Sequence, residues 1–245
     1  QMRTEATGYG AIFFLRNMLK QHGDTIEGKR ILISGSGNVA THAAEKVLQL
    51  GGKPLTLSDS GGFIHCSDGL TQEQIDWVKE LKGARRGRIS ETTDQFSNIT
   101  FHEKSRPWSV EADCAVPSAT QNEVNAEEAA ALIKNGVKAI AEAANMPCEQ
   151  PAVDAFTEAG VLFGPAKAVN AGGVGVSGLE MSQNSGRISW EPERLRELLE
   201  NMMRDIHESC VQYGKADNGP VNYLAGANIA GFVKVADAML SYGHV

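Results

Sequence analysis

Apolar positions recur along this chain at two spacings. Short runs rich in apolar residues sit at Ile31-Leu-Ile33, Pro54-Leu-Thr-Leu57, Ala112-Asp-Cys-Ala-Val116, Val137 to Ala141 and Gly160 to Phe163. They are too short for helices and read as strands buried on both faces. Between them lie segments of helical spacing: Arg3 to Gly23, Asn38 to Leu50, Thr71 to about Lys82, Glu127 to Lys134 and Pro151 to Glu158. Thr4 and Thr7 can cap the first of these, and Gly23 can end it. Thr71-Gln-Glu-Gln74 is a capping box opening the third. Strand and helix alternate at short intervals. That pattern predicts an α/β fold, a doubly wound, mostly parallel, Rossmann-like sheet with helices on both faces and C-terminal helices.

Past residue 164 the pattern is helical. Val174 to Asn184 reads as helix despite two glycines. Pro192 to Tyr213 is a long amphipathic helix striped by Leu195, Leu198, Leu199, Met202, Ile206 and Cys210, with His207 beside the stripe as a structural histidine. Ala225 to Leu240 is rich in small residues suited to close packing. Residues 92–110 are the least legible, with a short helix and a weak strand ending before Pro107. Residues 1–245 together read as one domain whose helical segment starts near 190.

The chemistry concentrates where strands end. After Ile31-Leu-Ile33 comes Gly35-x-Gly37-x-x-Ala40, then a helix. Gly35 permits a sharp turn, and Gly37 lets the backbone approach a pyrophosphate. The N–H groups from Ser36 through Asn38 and Val39 point at that anion, and Ala40 is small where helix meets strand. An ordinary glycine turn is the alternative. Asp59 lies 24 residues past Gly35, near where an acid meets the adenosine ribose. A bare 2′-hydroxyl asks for an acceptor there; a 2′-phosphate asks for donors and cations. Ser58 and Ser60 supply donors, although a plain polar turn has the same composition. Lys82-Gly-Ala-Arg-Arg-Gly-Arg88 brings four cations within seven residues. It is a solvated charge run or, through Lys82 and Arg88, a phosphate clamp. The loop from Pro117, carrying Ala119 and Thr120, follows a parallel strand and so borders the ligand edge of the sheet.

Composition narrows the partners. The formal net charge is -7 and the pI about 5.4, against nucleic acid or an anionic membrane. Apolar residues make up 42% of the 245, enough for a sizeable core. Cys66, Cys114, Cys148 and Cys210 are scattered without a CxxC, which favours a reducing, cytoplasmic setting over a disulfide framework or a metal site. No unbroken apolar run approaches the ~18 residues of a membrane span. Gln1-Met2-Arg3 is unlike a signal peptide, and the abrupt start in structured-looking sequence suggests a fragment.

Several loops together resemble the glutamate dehydrogenase family, over nearly the whole chain. They are Arg3-Thr-Glu-Ala-Thr-Gly-Tyr-Gly10, Ser34-Gly-Ser-Gly-Asn-Val-Ala40, Ala119-Thr-Gln-Asn-Glu123, Ala144-Asn-Met-Pro147, Asn170-Ala-Gly-Gly-Val174 with Ser177-Gly-Leu-Glu-Met181, and Gly226-Ala-Asn-Ile-Ala-Gly-Phe232. Ser58-Asp-Ser60 and the Lys82/Arg88 pair are most similar to the members that use NADP, with NAD as the alternative cofactor. The resemblance adds Thr7, Asn145 and Asn170 to the cofactor contacts, and places Ser177 at the substrate's distal carboxylate. It implies reversible oxidative deamination of L-glutamate to 2-oxoglutarate and ammonia, in a homohexamer. The family's substrate domain precedes its cofactor domain and carries a catalytic lysine and aspartate. This chain would then hold no catalytic residue, bind cofactor and not turn over. A non-catalytic nucleotide-binding module is one alternative. Another is the cofactor domain of a related NAD-dependent amino-acid dehydrogenase acting on apolar side chains, against which the motifs at 119–123 and 177–181 argue. Ala143 and Ala166 stand where the family commonly has glycine, and Ser118 where it often has cysteine. The alanines fit only if those sites avoid positive φ.

Overall fold

The computed structural model describes residues 2–215 and 219–243. Helix α1 (Arg3–Gln21) ends at Gly23, whose φ of 74° lets the Gly23 and Asp24 N–H groups reach back to the carbonyls of Lys20 and Leu19. Thr4 and Thr7 do not cap it: Met2 is the N-cap, no side chain caps the helix, and both threonines lie inside it. Strand β1 (Arg30–Ile33) leads through Gly35 into α2 (Asn38–Gln49). The second predicted strand is two. Strand β2 (Lys53–Pro54) runs parallel to β1, while β3 (Thr56–Asp59) leaves the sheet and forms an antiparallel hairpin with β4 (Gly62–His65). Pro54 has no N–H to extend a ladder and sits on the sheet's edge, so the strand stops there.

Helix α3 (Gln72–Glu80) opens on the expected capping box, with Thr71 Oγ1 accepting the Gln74 N–H and Gln74 Oε1 accepting the Thr71 N–H. It closes in a π-helical turn, Leu81–Arg85, and a left-handed Arg86. A 3-10 turn (Ile89–Glu91), α4 (Thr92–Gln95) and β5 (Thr100–Glu103) follow, and β5 joins the β4 edge. Then come β6 (Cys114–Val116), α5 (Ala126–Lys134), β7 (Ala139–Ala141), α6 (Gln150–Glu158) and β8 (Leu162–Gly164). The chain closes with α7 (Ala166–Val169), α8 (Ala171–Gly186), α9 (Pro192–Gly214) and α10 (Tyr223–Tyr242).

The main sheet is wholly parallel, in the order β2-β1-β6-β7-β8, with β1 in its interior. Side chains alternate between two cores, as the pleat requires. Ile31, Ile33, Val116 and Ala141 face α1 and α2, whereas Leu32, Ala115, Ile140 and Phe163 face α5, α6 and Trp108. The fold is therefore the doubly wound one that the alternating pattern predicts. The chain leaves β1 towards β2 and later returns on its other side as β6. A crevice opens between the C-terminal ends of those two strands, where such sheets bind ligands.

Helix α9 packs on a seam rotated from the predicted stripe. Leu195, Leu199 and Cys210 are buried as expected, but Met203 and His207 join them, and Leu198, Met202 and Ile206 are only half-buried. The rotation follows from α1, where Phe14 meets the His207 ring edge-on at 5.5 Å; His207 also bonds the Tyr223 hydroxyl at 3.2 Å. It is structural. Helix α10 docks at its start, where Gly226 lies against the Cys210 carbonyl. Further along, Phe232, Val235, Met239 and Leu240 are exposed, so most of this helix is not closely packed within the chain. Among the described residues α10 is the one helix whose length and mean hydropathy (1.2) match a membrane span, a match that averages many small residues and is broken by Asn228, Lys234 and Asp237.

Candidate functional site: a groove across the strand ends

The turn after β1 is fixed by sterics. Gly35 has φ 83°, and a Cβ there would stand 3.1 Å from the Ser118 carbonyl oxygen and 3.2 Å from the Ala119 Cα. No other residue fits without strain. The Gly35 N–H donates to Ser58 Oγ at 2.7 Å, and Ser34 Oγ accepts the Ser118 N–H at 2.8 Å. Ser58 is thus buried and engaged in holding this turn, which leaves Ser60 as the exposed hydroxyl. Gly37 differs. It has an ordinary φ of -82°, and no atom of the chain lies within 4 Å of where its Cβ would be. Nothing in the packing demands glycine there; the open space in front of it does. No side chain caps α2, so the N–H groups of Asn38 and Val39, which line that space, are left unsatisfied. A helix start of this kind suits an anion.

One end of the groove holds about 1080 Å³ between these residues, the turn at Ser58–Ser60, Lys82 and the loop at Ser118–Thr120. Lys82 and Arg88 both reach the Ser60 turn. Lys82 Nζ lies 3.1 Å from Asp59 Oδ2, and Arg88 donates to Ser60 Oγ at 2.8 Å. Asp59 is not a free acceptor. Its Oδ1 takes the Gly61 N–H at 2.8 Å, and its Oδ2 takes the Ile89 N–H at 3.0 Å besides Lys82. Burial alone would raise this carboxyl, but the Ile89 and Gly61 N–H groups and the Lys82 ammonium outweigh it and hold it below its ordinary value.

The other end, about 640 Å³, is lined by Arg3, Thr7, Asn145, Asn170, Val174 and Ser177 among others. Val39, Ser118 and Ala119 line both ends, so the groove is continuous. Thr7 arrives because α1 crosses α2 closely: a Cβ at Gly8 would fall 2.5 Å from the Val39 carbonyl oxygen. Asn170 donates to Asn145 Oδ1 at 2.8 Å, joining the loops after β7 and β8. Ser177 gives its hydroxyl to the Gly173 carbonyl one turn back at 3.1 Å. Neither Ala143 nor Ala166 has positive φ, so alanine fits both sites, and Ser118 turns its hydroxyl inward to the Val116 carbonyl.

Two buried carboxylates hold the loops from beneath. Glu123 Oε1 accepts the N–H groups of Ala119 and Thr120 at 2.9 and 3.3 Å. Glu142 accepts the N–H of Cys148 through Oε1 and of Ala166 through Oε2, at 3.1 and 2.8 Å. Burial pushes both carboxyls up, against these hydrogen bonds. Sequence reasoning passed over both, and also Lys104, Ser105 and Arg106, which form a wall of the larger end. A lone acid in a polar loop, as Glu123, or in an alanine-rich stretch, as Glu142, signals little by itself, and the 104–106 wall comes from the stretch with the weakest periodicity.

The chain matches the profile of the Glutamate/Leucine/Phenylalanine/Valine dehydrogenase family over residues 1–243. It is 52% identical over 242 residues to the NAD(P)-specific glutamate dehydrogenase of Xylanibacter ruminicola, covering 99% of this chain and 54% of that one. It is 52% identical over 244 residues to the NADP-specific glutamate dehydrogenase of Salmonella typhimurium, covering 100% and 54%. Among solved structures it is similar to Plasmodium falciparum glutamate dehydrogenase, with a TM-score of 0.97 at 40% identity, over 100% of this chain and 53% of that one. The chain thus spans about half the length of the relatives it matches.

Proposed function

The chain belongs to the glutamate/leucine/phenylalanine/valine dehydrogenase family, and from that premise we propose that it is the cofactor-binding part of an NADP-dependent glutamate dehydrogenase. In the intact protein the reaction would convert L-glutamate, water and NADP+ to 2-oxoglutarate, ammonium, NADPH and a proton. The observation that carries the reading is the single groove across the strand ends, with an uncapped helix start at its centre, Ser60 and Lys82 at one end and Thr7, Asn145 and Asn170 at the other. Gly37 and the N–H groups of Asn38 and Val39 would hold the pyrophosphate. Ser60, Lys82 and Arg88 would hold the 2′-phosphate. Thr7, Ala119, Thr120, Asn145 and Asn170 would orient the nicotinamide end, where bound NADP supplies the hydride acceptor. Ser177 would reach the substrate's distal carboxylate. Positioning two reactants accounts for much of such a rate, and proton transfer needs groups within hydrogen-bond reach. The groove offers orientation; a lysine and an aspartate from the part that precedes this one in the family would offer the rest. The buried, unpaired cysteines suit a reducing cytoplasm.

The test is titration of NADPH and NADH against the wild type, Lys82→Ala and Arg88→Ala. Hydrogen bonds to charged groups contribute about 1.5–3 kcal/mol, so each loss should weaken NADPH by roughly ten- to a hundredfold and leave NADH nearly unchanged. The chain alone should not oxidise L-glutamate; turnover by protein free of host enzyme would overturn that part. Use of NAD is the second reading, favoured by the Asp59 carboxylate at the turn. Equal losses for both cofactors would decide for it.

A further inference from the structure

The phosphate corner lacks a net charge of the right sign. Two cations and two carboxylates meet there: the Lys82 ammonium lies 3.1 Å from Asp59, the Arg88 guanidinium donates to Ser60 Oγ, and Glu91 Oε1 accepts the Arg88 backbone N–H at 2.6 Å. These four charges cancel. A phosphomonoester brings about -1.5 to -2.

A fifth charged group stands beside the Ser60 turn. Lys104 follows β5, and its N–H donates to the Gly61 carbonyl at 2.8 Å, which fastens it beside the turn that carries Asp59 and Ser60. It lines the same end of the groove as Ser60, Gly62 and Lys82. Its backbone is left-handed, with φ 51°, a conformation a lysine adopts only where its surroundings impose it. Its side chain is 86% exposed, and its ion pair is with the neighbouring Glu103, 71% exposed, at 3.6 Å. A pair that open to water holds its partners weakly, and a lysine stem is long and flexible. Lys104 is therefore fixed at its root and free at its tip.

We propose that Lys104 is a third cation of the 2′-phosphate site and a determinant of NADP preference, closing on the phosphate from its anchor beside Gly61. This rests on the NADP reading above. Neighbouring Arg106 does not share the role: it is held by the Glu128 carboxylate at 3.1 Å and by the Glu123 carbonyl.

The experiment is equilibrium titration of the purified chain, at low and at moderate salt, with NADPH, NADH, adenosine 2′,5′-bisphosphate and AMP. The variants are Lys104→Gln, Lys104→Arg and, as reference, Lys82→Ala, with melting temperatures recorded for each. Lys104→Gln should weaken NADPH and the bisphosphate by about three- to tenfold at low salt and less at moderate salt, with NADH and AMP unchanged. Lys104→Arg should restore most of the loss. Unchanged NADPH binding in Lys104→Gln, alongside a selective loss in Lys82→Ala, would remove Lys104 and leave the NADP reading standing. Equal losses for NADPH and NADH would also remove it. A wild type that binds neither NADPH nor the bisphosphate would overturn the NADP reading, and this proposal with it.

Discussion

Lys82 Nζ stands 3.1 Å from Asp59 Oδ2, and the same oxygen accepts the Ile89 N–H at 3.0 Å. The carboxylate therefore spans the turn after β3 and the basic loop after α3. It does not stand in the groove as a lone negative charge. Asp59→Ala should loosen residues 82–91 and weaken NADPH binding by about tenfold, although it removes a like charge from the phosphate's vicinity. Tighter NADPH binding in this variant would show that repulsion, not scaffolding, governs the position. Titration of NADPH against both forms decides it.

Gly35 and Gly37 should fail in different ways. Gly35→Ala puts a Cβ at positive φ against the Ser118 carbonyl, so it should cost about 1–3 kcal/mol in denaturant unfolding and lower cofactor binding as well. Gly37→Ala meets nothing in the chain, so its unfolding midpoint should match the wild type while NADPH and NADH both bind about tenfold or more weakly. A destabilised Gly37→Ala would contradict the assignment of its open space to a ligand.

Glu142 ties the loop at Cys148 to the start of α7. Glu142→Ala leaves one buried and one part-buried N–H group without acceptors, at about 1–3 kcal/mol each. The melting temperature should fall by roughly 5–15 °C. Glu142→Gln retains a side-chain oxygen and should fall by less. Thermal melts followed by circular dichroism give the order.

His207 should leave a signature in the pH dependence of stability. Burial, and after it the charge of His22, lowers its pKa from 6.5 to about 4. The sign follows from the depressed value. Above about 6.5 both folded and unfolded states hold it neutral, and stability is complete. As pH falls from 6.5 towards 4 the unfolded state takes up a proton that the folded state refuses, and stability is lost, by ~3 kcal/mol at most. His207→Gln should flatten the curve in that window. Urea unfolding of both proteins at several pH values measures the difference.

The sheet was legible because each buried strand is an apolar run and each turn is marked. Ile31-Leu-Ile33 followed by Gly35 admits little else, and the switch point follows from strand order. The antiparallel hairpin was not legible. Strands β3, β4 and β5 are four residues each, β5 is almost entirely exposed, and no local signal distinguishes Pro54–Leu57 as one strand from two that part at Leu55. The α9 seam was misread because periodicity fixes a stripe only to within a residue or so, while Phe14 and Tyr223, distant in sequence, decide which side turns in. The phosphate-side positions of the groove follow from glycines and polar turns, whereas Thr7, Asn145, Asn170 and Ser177 come only from the family resemblance. That Asp59 is saturated, and that Glu123 and Glu142 work from below, depends on pairings 2 to 30 residues apart that no motif encodes.

The uncovered face of α10 has a consequence for the chain as a solute. Phe232, Val235, Met239 and Leu240 are each at least 60% exposed on a molecule of formal charge -7. At low ionic strength, molecules repel one another before those faces can meet. The range of that repulsion is ~30 Å at 0.01 M salt and ~3 Å at 1 M. Salt therefore removes the barrier and leaves the apolar contact, so this chain should self-associate as ionic strength rises, and as pH approaches 5.4. Conditions that keep it dispersed are the same low-salt conditions in which a phosphate-binding corner holds its ligand best.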